Sequence, residues 1–193
     1  LALGMTRWII ENKAYNADYL GFTNYKAAVA GGFASYTGAT FLVIDDESSA
    51  NNGKLMTAAD AGLTEPEADP AAKTKPTYYV VMDAEKNEAA LNTDAERGLI
   101  DFEGEVNGIK VRSAFLYLKD SAFSNTMDEY AEICGVPRET IEDVAREFTS
   151  HGVKAATTGL GSTAAANGVS SMAAYTFLNA LIGSNQMLGG MVA

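Results

Sequence analysis

All 25 aspartates and glutamates lie at or before Glu147, so the chain from Phe148 to Ala193 carries no acidic side chain. Lys154 and His151 are the only basic side chains in that segment. Such a stretch has two fates open to it. Either it is buried among other protein, where charge is costly, or it lies beside an anion that nearby carboxylates would repel. From Ala164 to Gly183 there is no charge of either sign. Asn167, Asn179 and several serines in this stretch suit a helix buried in protein better than one in lipid.

The rest of the composition is that of an ordinary globular protein, with 47% hydrophobic and 20% charged residues. At 193 residues the chain can hold one well-cored domain, or a core plus a satellite. A net charge of −11 argues against a nucleic-acid partner or an anionic membrane surface, since the summed field repels phosphate. A single cysteine, Cys134, excludes an intrachain disulfide and any multi-cysteine metal or cluster site. Its place on an apolar helical face in "YAEICGVP" suits a small buried hydrophobe better than a nucleophile. The single histidine, His151, directly follows the helical pattern "ETIEDVAREFTS", where a C-terminal cap explains it better than catalysis. The chain opens at Leu1 on a pattern that is already periodic, shows no secretory signal, and closes on "LGGMVA". Both ends read as cut, so the expectation is a piece of a longer protein.

Leu3, Met5, Trp8, Ile9 and Ile10 fall on roughly one face and predict a helix over residues 1–13. Asn16 is placed to cap a short turn through "ADYLGF". Residues 27–38 turn to small residues and glycine, a loop by composition. "ATFLVIDD" and "TYYVVM" read as strands. Between them, residues 46–76 hold three of the four prolines and read as an exposed excursion with one short strand near Lys54–Thr57. "RGLIDFEGEVNGIKVRSAF" predicts a β-hairpin, because Asn107-Gly108 supplies the two positive φ angles of a type I′ turn. From Ala114 the period becomes helical in three segments, the second opened by a Thr126/Glu129 capping box and closed at Gly135. "VKAATTG" then reads as a strand and "GVSSMAAYTFLNALIG" as a final helix.

Between that strand and helix lies "GLGSTAAANG", in which Gly159, Gly161 and Ala164 fit a G-x-G-x-x-A loop. Strand, glycine loop and helix together present backbone N–H groups and a positive dipole end to an anion. Glycine lets the backbone approach a phosphate closely, and Ser162, Thr163 and Asn167 add hydroxyl and amide donors. A dinucleotide fingerprint also needs an acid about 20 residues further on, and none follows Glu147. There is no G-K-[ST] to make a P-loop either. On its own the motif is as consistent with an ordinary turn.

The longer order is more specific. "ALGMTRWIIENKAYNADYL", then "VRSAFLYLKDSAFSNTMDEYAEICGVPRETIEDVAREFTSHG", then "KAATTGLGSTAAANGVSSMAAYTFLNALIG" with a closing "GG", resembles the molybdopterin oxidoreductases of the dimethyl sulfoxide reductase type. Within that family it is most similar to the catalytic A subunits of tetrathionate reductases. Residues 1–24 and about 105–190 carry the match, and residues 25–104 resemble a lineage-specific insertion. The resemblance implies molybdenum held by molybdopterin guanine dinucleotide and reduction of an oxidised sulfur compound such as tetrathionate. It also implies two partners on the periplasmic or extracytoplasmic side: an iron–sulfur electron-transfer subunit, together with a membrane-anchor subunit. The family's iron–sulfur cluster ligands and metal ligand would lie outside this chain, so no catalytic or metal-binding residue is carried over. Gly159, Gly161, Ser162, Thr163 and Asn167 match the loop that borders the pterin in that family. The family's His-Gly-Gly run is replaced here by Leu160-Gly161-Ser162, which leaves the substrate open.

The expected fold is therefore α/β, a small mixed or partly parallel sheet flanked by helices with an inserted β-rich excursion. Residues 1–24 and 105–193 would form part of the molybdopterin-binding region, and 25–104 the insertion. The chain would be inactive by itself and would not insert in a membrane. Two alternatives stay open at this point: a nicotinamide dinucleotide-binding module using the same loop, and a non-catalytic scaffold segment.

Overall fold

The structure is a computed structural model describing residues 1–67, 77–159, 164 and 166–191. The helices are α1 (Ala2–Glu11), α2 (Ala17–Gly21), α3 (Tyr25–Ala30), α4 (Ala114–Phe123), α5 (Met127–Cys134), α6 (Arg138–Ser150) and α7 (Gly168–Ile182). The strands are β1 (Leu42–Ile44), β2 (Val80–Met82), β3 (Ala89–Leu91), β4 (Glu103–Val106) and β5 (Ile109–Ser113). The class is the expected one, α/β with small sheets and flanking helices. Two compact units divide the chain: Leu1–Leu20, Gly32–Ser35 and Leu118–Ala193 form the first, and Gly21–Gly31 with Tyr36–Tyr117 the second.

The first unit is helical. α1 packs on α5, α6 and α7, burying Met5, Ile9 and Ile10 on one side of the helix, the spacing that its sequence predicts. Gly4 is what allows the close approach. A Cβ there would sit 3.3 Å from Ile141 Cγ2 and 3.3 Å from Tyr130 Cβ, tighter than ordinary van der Waals contact. Asn16 Oδ1 accepts the N–H of Tyr19 at 3.0 Å, as expected of a cap for α2. Thr126 and Glu129 form the reciprocal capping box of α5, which ends on Gly135 at φ +63°.

Small sheets build the second unit. β5 lies between β1 and β4, with Leu42 opposite Ser113 and Gly104 opposite Val111. β2 pairs with β3. The Asn107-Gly108 turn forms as predicted, at φ +50° and +76°. The core joins Leu42, Ile44, Met56, Val80, Met82, Val106 and Val111.

In four places the local structure departs from the sequence expectation. The named strands all pair antiparallel, and among the described residues parallel pairing is confined to a bridge between Asn185 and Met191. Parallel neighbours need a long crossover, whereas the β4–β5 hairpin closes through two residues. Residues 27–30, expected as the start of a loop, belong to α3: Asn24 accepts the Ala27 N–H at 2.9 Å, and Ala27 and Ala28 are buried. The strand expected near Lys54–Thr57 is reduced to bridges from Leu55 to Val43 and from Thr57 to Tyr79. Order in this excursion comes instead from Asp60, whose carboxylate accepts from Thr57 Oγ1 at 2.7 Å, Thr57 N at 2.9 Å and Asn51 Nδ2 at 3.1 Å. Finally, "VKAATTG" is no strand. It opens as a 3-10 turn, Gly152–Lys154, entered through Gly152 at φ +54°.

Candidate functional site

The loop that the sequence singles out is anchored from behind. After the 3-10 turn the backbone becomes extended at Ala155 (φ −106°, ψ 151°). Thr157 then makes the pair of hydrogen bonds that a neighbouring strand would supply, but to a side chain. Its N–H donates to Asn179 Oδ1 at 2.8 Å, and its carbonyl accepts from Asn179 Nδ2 at 2.7 Å. Asn179 projects from α7 and is 2% exposed. Buried amides and peptide groups need partners, and here each satisfies the other. α7 thereby holds the chain that leads into the loop.

Of the candidate residues, Gly159 is buried and Asn167 exposed, one at each end of the loop. Gly161, Ser162 and Thr163 lie outside the described residues. Asn167 occupies the N-cap position of α7, but its side chain makes no capping bond to the helix. Its carbonyl accepts the N–H of Ser171 at 3.0 Å. The first turn of α7 contains no acid. Among the described residues the Asn167 side chain makes no capping bond, and it stands at the positive end of a 15-residue helix.

His151 follows the last residue of α6 as its C-cap, with Nε2 2.9 Å from Glu147 Oε1 one turn back. The C-cap position is the expected one, and the ring is held there by a side chain of the same helix. Cys134 is half-buried, not a core hydrophobe, and its Sγ accepts from the Leu1 ammonium at 2.9 Å. It closes the last turn of a short helix, where the apolar face has already run out to the exposed Ile133.

The second unit holds an open depression of about 420 Å³ lined by Asp45, Glu103, Gly104, Glu105, Lys110, Val111 and Arg112. Arg112 lies 3.2 Å from Glu103 and 3.9 Å from Asp45. The depression's three carboxylates make it unsuited to an anion. Among the described residues no group of three or more His, Cys, Asp or Glu converges to hold a metal ion. Nor is any described helix long and apolar enough to cross a membrane.

Asn179 is the residue whose role the sequence did not reveal. Its only signal was the one amide within an uncharged helix, where an unpaired buried polar group would be costly.

No family model matches the chain. Among known proteins it is 36% identical to the A subunit of tetrathionate reductase from Salmonella typhimurium, an alignment covering 99% of this chain and 18% of that protein. It is 35% identical to the A subunit of selenate reductase from Mesobacillus selenatarsenatis, over 98% of this chain and 18% of that protein. The A subunit of a tetrathionate reductase from Archaeoglobus fulgidus is 28% identical over 76% of the chain. The chain thus spans less than a fifth of the length of the relatives it matches. Over nearly its whole length it is a relative of one segment of the A subunits of tetrathionate and selenate reductases, the molybdopterin oxidoreductases that its sequence resembles.

Proposed function

We propose that this chain is part of the catalytic A subunit of a molybdenum reductase that uses molybdopterin guanine dinucleotide and reduces an oxidised sulfur compound such as tetrathionate. The observation that carries the reading is the end-to-end similarity to one segment of the tetrathionate reductase A subunit. The selenate reductase relative, at nearly equal identity, widens the substrate class to small oxidised anions of sulfur or selenium. Residues 1–24 and 105–193 would contribute to the molybdopterin-binding region, with 25–104 as its insertion.

The donors around the loop fit a phosphate-bearing cofactor. Asn167 brings an amide that does not cap its own helix to the helix N-terminus, and no carboxylate side chain exists from Phe148 onward to oppose an anion. Gly159, Gly161, Ser162, Thr163 and Asn167 would line the cofactor's edge, with the Asn167 amide donating to it. Asn179, by gripping Thr157, would fix the entry to the loop. The cofactor, when bound, supplies electron transfer at its metal. The metal ligand and iron–sulfur ligands would come from outside residues 1–193. The same proposal includes an extracytoplasmic location and two partners, an iron–sulfur subunit with its membrane-anchor subunit.

The test is made in the full-length subunit, with Gly161→Phe and Asn167→Asp. Both should lower bound molybdenum and pterin and slow the oxidation of reduced viologen by tetrathionate. Full cofactor content with unchanged turnover in both variants would favour the scaffold alternative and overturn the loop's role.

A further inference from the structure

Helix α7 carries no charge on any side. Ala174, Leu178, Asn179, Leu181 and Ile182 point inward and are buried. The opposite face runs through Val169, Ser170, Thr176 and Phe177, all exposed, with Val169 at 88% and Phe177 at 42%. Just beyond the helix, Leu188 is 94% exposed. A helix that meets water on one side carries polar and charged residues there, and one that is apolar all round is buried. α6 follows the first pattern, with Glu139, Asp143, Arg146 and Glu147 all exposed. α7 has no charged residue on its open face, where Val169 and Phe177 stand beside the hydroxyls of Ser170 and Thr176.

We propose that the open face of α7 is an intramolecular docking surface, covered by an uncharged, apolar segment of the same polypeptide from outside residues 1–193. This rests on the reading of the chain as part of a larger catalytic polypeptide. Two observations name the occupant. The relatives are more than five times as long as the stretch they share with this chain, so most of such a polypeptide must pack somewhere. In addition, the whole segment from Phe148 onward offers no carboxylate and only Lys154 and His151 as bases. That suits the dry interior of one chain and not the polar rim of a separable interface.

The experiment uses the full-length subunit in its native state. Phe177→Cys and Val169→Cys are compared with Asp143→Cys, a position on the charged face of α6, by the rate of maleimide labelling followed by peptide mass spectrometry. Labelling at positions 177 and 169 should be roughly tenfold or more slower than at 143, and equal to it after unfolding. Equal native rates would overturn the proposal. Protection that disappears when the catalytic polypeptide is separated from its partners, or on dilution, would also overturn it, in favour of a partner subunit or a second copy. If Phe177→Cys fails to fold, Val169→Cys and Thr176→Cys carry the comparison. Molybdenum and pterin assayed in the same preparation separate the two ideas. Their absence alongside intact protection would sink the cofactor reading and leave the docking surface standing.

Discussion

Asn179 holds the backbone of Thr157 by its N–H and its carbonyl at once, and both hydrogen bonds are lost together in Asn179→Ala. The Thr157 peptide groups are partly buried, and a lost hydrogen bond of this kind costs about 0.5–1.5 kcal/mol, so the variant should lose about 1–3 kcal/mol in urea unfolding. Serine in place of Asn179 cannot bridge both groups and should recover little of this. Asp60 offers a pH test. The Thr57 hydroxyl, helped by the Thr57 N–H and the Asn51 amide, holds its carboxyl below the ordinary aspartate value. A depressed folded pKa means that the contribution is complete above the ordinary value and is lost as pH falls through the lowered one. Wild type should therefore unfold at higher urea than Asp60→Asn at pH ~7, with the gap closing toward pH ~3. A gap that stays constant over that range would show that the charge is not what Thr57 and Asn51 select.

The elements were legible in the sequence wherever their cause was local. Asn107-Gly108 dictated its hairpin because few other pairs tolerate two positive φ angles. Thr126 and Glu129 dictated the start of α5 because their bonds close within four residues. Thr126→Ala should lower stability by about 1 kcal/mol in chemical denaturation, the usual cost of a lost N-cap. Gly108→Val, forced into the left-handed region, should cost about 1–2 kcal/mol. α3 was hidden because its small residues read as a loop until Ala27 and Ala28 are seen to be buried. The extended stretch at Thr157 read as a strand for a sound reason, since its backbone is paired. Its partner is a side chain 22 residues further on, which no local pattern records. The candidate loop was legible as a motif, and its anchoring was not.

At the scale of the whole molecule, the acid-free segment that begins at Phe148 meets the first of its two fates along the inward side of α7, which is buried, while the first turn of that helix carries no acid. The chain's similarity to less than a fifth of its relatives places metal and cluster ligation, on our proposal, in other parts of the catalytic polypeptide. The isolated 193-residue chain should therefore show no viologen oxidation with tetrathionate, thiosulfate or selenate, and turnover by it would refute that division of labour. The central claim, that this chain helps to house a molybdopterin cofactor, is tested most directly by the molybdenum and pterin content of the purified full-length subunit. The account predicts both, in near-stoichiometric amounts. A correctly folded subunit that carries neither would contradict it.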